Sequence, residues 1–67
     1  MAKLFSSRVI INVLKKQGFI FISQKGSHVK YRKTDKTVIV PHPRKEIPMG
    51  TFRSILRQSG LSEKNFI

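Results

Sequence analysis

The chain has 67 residues and no cysteine, and its 14 Lys and Arg against three Asp and Glu give a formal net charge of +11. A chain this short supports only one hydrophobic core, so we expect a single domain over residues 1–67, without disulfides or thiolate metal sites. The charge makes a polyanion, above all nucleic acid, the leading expectation for a partner.

The N-terminal residues contain no long apolar run. We therefore predict neither a signal peptide nor a membrane span, and we expect a cytoplasmic protein. A membrane surface is the competing polyanion, but the cations are spread through every predicted element and do not gather on one amphipathic helix.

The first half of the chain predicts a helix and two strands. Ser6 and Ser7 are N-cap candidates for a helix over 8–17, and Gly18 is placed to end it. The apolar run of residues 19–23 predicts a strand, and Lys25-Gly26 predicts a hairpin turn with Gly26 supplying a positive φ.

The second half predicts a third strand over residues 37–41 and a second helix capped by Thr51. Phe52, Ile55, Leu56 and Ser59 mark the buried stripe of that helix, and Gly60 ends it. The predicted class is α+β, with the order α-β-β-β-α and both helices on one face of a three-stranded antiparallel sheet. The other face is left open to carry a site.

His28 lies in the second strand, directly after the predicted turn. Strand alternation places Val29 and Tyr31 on the core face, and His28, Lys30 and Arg32 on the opposite face. An imidazole among cations suits a phosphodiester, because His28 could exchange a proton while Lys25, Lys30 and Arg32 bind phosphate. The simpler interpretation of His28 is an exposed strand histidine.

His42 is the only other histidine, and it lies between Pro41 and Pro43. It is a candidate for the second acid/base group, with a solvent-exposed loop residue as the equally plain alternative. The two histidines and three scattered carboxylates show no metal-ligand spacing, and the isolated glycines form no phosphate-binding motif. We therefore expect no metal and no cofactor.

Three stretches resemble the HicA family of toxins, also called YcfA-like. They are Gly-Ser-His at residues 26–28, Ile-Val-Pro-His at residues 39–42, and Gly-Thr-Phe-Arg-Ser-Ile-Leu-Arg-Gln-Ser-Gly-Leu-Ser at residues 50–62. The resemblance implies a fold like the double-stranded-RNA-binding domain and an endoribonuclease that cleaves mRNA, with the family's catalytic histidine at His28. It also implies a HicB-type antitoxin, and the net charge of +11 predicts that an acidic surface of this antitoxin covers the active site.

Two other functions remain open from the residues alone. The same α-β-β-β-α plan serves non-catalytic modules that bind double-stranded RNA by shape, mainly through helix surfaces and loops. A small basic protein held in place by ribosomal RNA is the other alternative.

Overall fold

The computed structural model describes residues 4–67. The elements are α1 (Ser7–Lys16), β1 (Ile20–Lys25), β2 (His28–Lys33), β3 (Lys36–Pro41), α2 (Met49–Ser59) and a short 3₁₀ helix (Glu63–Phe66). The strands form one antiparallel sheet in the order β1-β2-β3. The predicted α+β class and its element order are therefore confirmed, and β1 and β3 are the edge strands.

The first helix begins where the two serines predict it to begin. Ser6 is the N-cap, and its hydroxyl accepts a hydrogen bond from the Val9 N–H at 3.2 Å. At the other end, Gly18 has a φ of +95° and turns the chain into the sheet. Lys33 Nζ donates to the Gln17 carbonyl at 2.6 Å, so a cation from β2 closes the carboxyl end of α1.

The second helix begins earlier than predicted, and Thr51 does not cap it. The N-cap is Pro48, whose side chain makes no capping hydrogen bond, and Thr51 lies inside the first turn. A proline has no N–H to satisfy and has a fixed φ, so it can start a helix without a hydroxyl cap. The predicted end is correct, because Gly60 is the C-cap with a φ of +73°.

The first hairpin is tighter than the sequence indicated. Lys25 was expected in the turn, but it is the last residue of β1 and pairs with His28. The turn consists of Gly26 and Ser27, and Gly26 has a φ of +59°, as two-residue hairpin turns require at this position. A β-bulge at Ile22 separates the pairs Phe21–Tyr31 and Ser23–Lys30.

The hydrophobic core lies on one face of the sheet. Val29 and Tyr31 of β2 and their partners Val40 and Val38 of β3 are all buried there. Both helices cover this face with the side chains of Ile10, Ile11, Leu14, Phe52 and Ile55.

Phe5, Phe52 and Phe66 close one end of the core, with ring centroids 5.2 to 6.1 Å apart. No helix within residues 4–67 is long and apolar enough to cross a membrane.

Candidate nucleic-acid interface

The sheet face that the helices leave uncovered carries three rows of paired residues. Each row takes one residue from each strand, because cross-strand partners project to the same face. The rows are Lys25–His28–Pro41, Ser23–Lys30–Ile39 and Ile20–Arg32–Thr37. This surface is called the open face below.

His28 lies at the hairpin end of the open face. Its direct partner on β1 is Lys25, and the side chains of both residues are exposed. Partners of this kind have Cβ atoms roughly 5 Å apart, so the ammonium and the imidazole can contact one ligand together. The turn residues beside them, Gly26 and Ser27, are exposed as well.

The two other predicted phosphate-binding residues lie at increasing distances from His28. Lys30 is one row away, at about 7 Å along the strand, and Arg32 is two rows away, at about 13 Å. The Arg32 Nε donates to the Thr34 carbonyl at 3.2 Å, which directs the guanidinium toward the second hairpin turn. The structure therefore groups His28 with Lys25 and Lys30, and places Arg32 at the far end of the face.

His42 lies on the other side of the sheet. Its backbone N–H donates to the Ser27 carbonyl at 2.7 Å, but its ring is directed toward α1. The ring Nδ1 lies 2.7 Å from the hydroxyl oxygen of Ser7, whose side chain is buried. The same hydroxyl accepts the Arg44 N–H at 2.9 Å, so one serine orients the histidine and holds the loop after β3.

A groove of about 360 Å³ lies between α1 and the first hairpin, on this same side of the sheet. Phe21 and Tyr31 form its aromatic wall, with ring centroids 5.9 Å apart and ring planes at 80°. Burial raises the pKa of the Tyr31 phenol above 10.0. The remaining lining residues are Arg8, Ile11, Asn12, Lys15, Gln24, Val29 and His42.

The sequence analysis assigned no role to the polar side of this groove. Arg8, Asn12 and Lys15 are spaced at i, i+4 and i+7, which puts them on one stripe of α1. That spacing was visible in the sequence. What could not be seen was that the stripe faces the aromatic pair of the hairpin.

Within residues 4–67 there is no group of three His, Cys, Asp or Glu side chains that could hold a metal ion. The only carboxylates are Asp35, Glu46 and Glu63. Asp35 is in the second hairpin turn, Glu46 is in the loop before α2, and Glu63 begins the 3₁₀ helix. The ionisable groups near His28 are therefore cationic.

The fold and the site define a small, strongly basic α+β protein with an exposed histidine beside cations on an open sheet face. The chain belongs to the family of HicA toxins of bacterial toxin–antitoxin systems, whose family model matches residues 7–61. This range runs from the first residue of α1 to the residue after the Gly60 cap. A comparison with curated proteins found no match. The resemblance inferred from the sequence motifs is thus confirmed, and membership of a toxin–antitoxin family implies an antitoxin partner.

Proposed function

We propose that this protein is an mRNA interferase, a metal-independent endoribonuclease in which His28 acts as general base or acid. The observation that carries the proposal is the exposed Lys25–His28 pair on the open face, with Lys30 in the adjacent row. An imidazole that is accessible to solvent and flanked by ammonium groups matches what transesterification of RNA requires.

The reaction needs two proton transfers and charge stabilisation at phosphorus. His28 would take the proton from a ribose 2′-OH, and the 2′ oxygen would attack the adjacent phosphorus. Lys25 and Lys30 would stabilise the added negative charge on the phosphoryl oxygens, while Arg32 binds a phosphate further along the strand. The bond from phosphorus to the 5′ oxygen then breaks, and an acid protonates that oxygen.

His42 remains a candidate for the second acid/base group. Because its ring lies on the helix side of the sheet, it could act on the same phosphate only if the RNA bends around the hairpin end. Lys25 lies directly opposite His28 and is the nearer proton donor. The cleavage rate of a His42→Gln variant, compared with that of wild type across a pH series, distinguishes His42 from Lys25 as the proton donor. Loss of the alkaline limb of the pH–rate profile, where the proton donor becomes deprotonated, would assign the role to His42.

The direct test is cleavage of a labelled mRNA by the purified protein in excess EDTA. We expect wild type to cleave and His28→Ala to be roughly 10²- to 10⁴-fold slower. Ser23→Ala, one row away on the same face, is the matched control and should keep its activity. Circular dichroism confirms that each variant is folded. A folded His28→Ala variant with wild-type activity would contradict the assignment, and tight binding without cleavage would favour a non-catalytic RNA-binding module.

The open face is also where we expect a HicB-type antitoxin to bind and inhibit the protein. A chain with a net charge of +11 is inhibited most simply by carboxylates that occupy its phosphate sites. We expect Lys25→Glu and Lys30→Glu to weaken the antitoxin complex, whereas Lys64→Glu, in the 3₁₀ helix, should not. Calorimetric titration measures the difference. Equal affinity for all three variants would argue against occlusion of His28.

A further inference from the structure

Apart from His42, the residues of the groove between α1 and the first hairpin have no part in the chemistry proposed for the open face. We propose that this groove binds one unstacked nucleotide of a single-stranded RNA. This inference rests on the proposed function, since it follows the same RNA from His28 around the end of the hairpin to the other side of the sheet.

The aromatic wall of the groove is the first support. Phe21 is 54% exposed although it is a large apolar side chain, whereas Tyr31 is 4% exposed. Their edge contact, at 80°, leaves a face of the Phe21 ring uncovered by its partner. Exposed aromatic faces of this kind are the stacking platforms that single-stranded nucleic acids use without needing a particular sequence.

The charge of the groove is the second support. Arg8 and Lys15 both project from α1 into the lining, and none of the carboxylates within residues 4–67 contributes to it. Two cations beside an exposed ring complement a nucleotide, which offers a flat base and a negative phosphate. They do not suit a purely apolar ligand. The volume of about 360 Å³ is within the range of small-ligand sites.

Three polar side chains are placed to distinguish one base from another. Asn12 on α1 and Gln24 on β1 face the groove, and the Gln24 Nε2 donates to the Gly26 carbonyl at 3.2 Å, so its Oε1 remains an acceptor. Ser7 holds the Nδ1 side of the His42 ring, which leaves Nε2 for a ligand. Donors and acceptors on rigid elements can contact the hydrogen-bonding edge of an unstacked base.

The groove and His28 lie on opposite faces of the same sheet, and both lie near its β1 edge. Gln24 and Lys25 are consecutive on β1, and one lines the groove while the other pairs with His28 on the open face. Because no strand formed by residues 4–67 lies beyond β1 in this sheet, an RNA strand can cross there from one face to the other. The bound base would therefore belong to a nucleotide close to the cleaved bond, and the groove would set the cleavage preference.

The fluorescence of Tyr31 can report binding in the groove without a label, because Tyr31 is the only tyrosine and the chain has no tryptophan. We would titrate the protein with single-stranded RNA octamers of U, A, C or G that carry 2′-O-methyl groups and so resist cleavage. Base binding in the groove should change the Tyr31 fluorescence, and an octamer of abasic nucleotides should bind more weakly and leave it unchanged. RNA affinity is measured separately, by anisotropy of an end-labelled octamer.

Matched pairs of variants locate the effect. Lys15→Gln should reduce the magnitude of the salt slope of binding by about 0.7, whereas Lys16→Gln, the next residue on α1 but outside the groove, should leave it unchanged. Phe21→Ala should weaken RNA binding roughly five- to hundredfold. Phe21→Leu keeps an apolar side chain but has no ring on which a base can stack, so it should weaken binding by a similar factor. Ile20→Ala, an exposed apolar change on the open face, should have little effect.

The outcomes separate this inference from the proposed function. If wild type neither binds nor cleaves RNA, both fail. If it cleaves RNA, and the Lys15 and Phe21 variants bind and cleave as wild type does, the groove inference alone is overturned. Should those variants weaken only the antitoxin complex, the groove is a protein-binding site and the nucleotide proposal is wrong. The Lys15 and Lys16 pair decides the question even if the Phe21 variants do not fold.

Discussion

The hydroxyl oxygen of Ser7 lies 2.7 Å from Nδ1 of His42 and also accepts the Arg44 N–H at 2.9 Å. The Ser7 backbone N–H in turn donates to the Arg44 carbonyl at 2.9 Å. One buried serine thus joins the start of α1 to the segment that leaves β3. Through His42, it also fixes one wall of the groove.

Removing this hydroxyl should destabilise the fold. Ser7→Ala leaves the part-buried Arg44 N–H without its acceptor, which we expect to lower the free energy of unfolding by about 1–3 kcal/mol. Urea denaturation measures the change. Ser54→Ala on α2, whose hydroxyl is partly exposed, is the control and should stay within about 0.5 kcal/mol of wild type. Equal stability of the two variants would contradict the role given to Ser7.

Lys33 and Lys30 lie on the same strand but should have separable effects. Lys33 Nζ caps the carboxyl end of α1 and lies 6.0 Å from the centroid of the Phe19 ring, so Lys33→Met should lower stability by about 0.3–1 kcal/mol. Lys30 is on the open face, and Lys30→Met should instead reduce the magnitude of the salt slope of single-stranded RNA binding by about 0.7. Thermal unfolding and salt-dependent binding, measured on both variants, check this. The prediction is wrong if Lys33→Met reduces the salt slope of RNA binding as Lys30→Met should, or if Lys30→Met lowers stability as Lys33→Met should.

The ionisation of Tyr31 should report its burial. Burial raises the pKa of its phenol above 10.0, so the folded state binds this proton more tightly than the unfolded state does. The stability that results is fully present below about pH 10 and is lost as the pH rises through the folded-state pKa. Phenolate absorbance of this single tyrosine should therefore titrate at a higher pH in buffer than in concentrated urea. Coincident titrations would show that the phenol is not desolvated.

Two glycines should respond in opposite directions to the same substitution. An added Cβ meets nothing within 4 Å at Gly26 or at Gly50. The effect of an alanine substitution on stability therefore depends on the backbone conformation alone at both positions. Gly26 has a φ of +59°, and Gly26→Ala should cost about 1–2 kcal/mol. Gly50 is in the first turn of α2, and Gly50→Ala should stabilise the protein by up to about 1 kcal/mol. Chemical denaturation of both variants provides the measurement, and a loss of stability in each would contradict it.

The order of elements and the face carrying His28 were predictable because they depend on local patterns. Alternation through Val29 and Tyr31 fixes the buried face of β2, and the glycines at 18 and 60 end the helices. The start of α2 was not predictable from capping preference, since the helix begins after Pro48 without a side-chain cap. The role of Thr51 was therefore misassigned.

The site was predictable only on the open face. The groove depends on tertiary contacts, because it needs the polar stripe of α1 to face Phe21 and Tyr31. The side of the sheet taken by His42 depends on Ser7, which is 35 residues away in the chain. No sequence pattern reports a contact of that separation. The catalytic and phosphate-binding assignments themselves remain predictions.

The bulge at Ile22 decides which side chain of β1 accompanies His28. Phe21 is held on the helix side by its pairing with Tyr31, and only the extra residue allows Lys25, and not Gln24, to project beside the histidine. With an uninterrupted ladder, an amide would take the place of the ammonium. The bulge thus reconciles two fixed pairs of β1, Phe21–Tyr31 on the helix side and Lys25–His28 at the hairpin end. Deletion of Ile22 would remove the bulge and leave both pairs in register, whereas one more residue inserted between Phe21 and Lys25 would require a second irregularity or the loss of one of the two pairs.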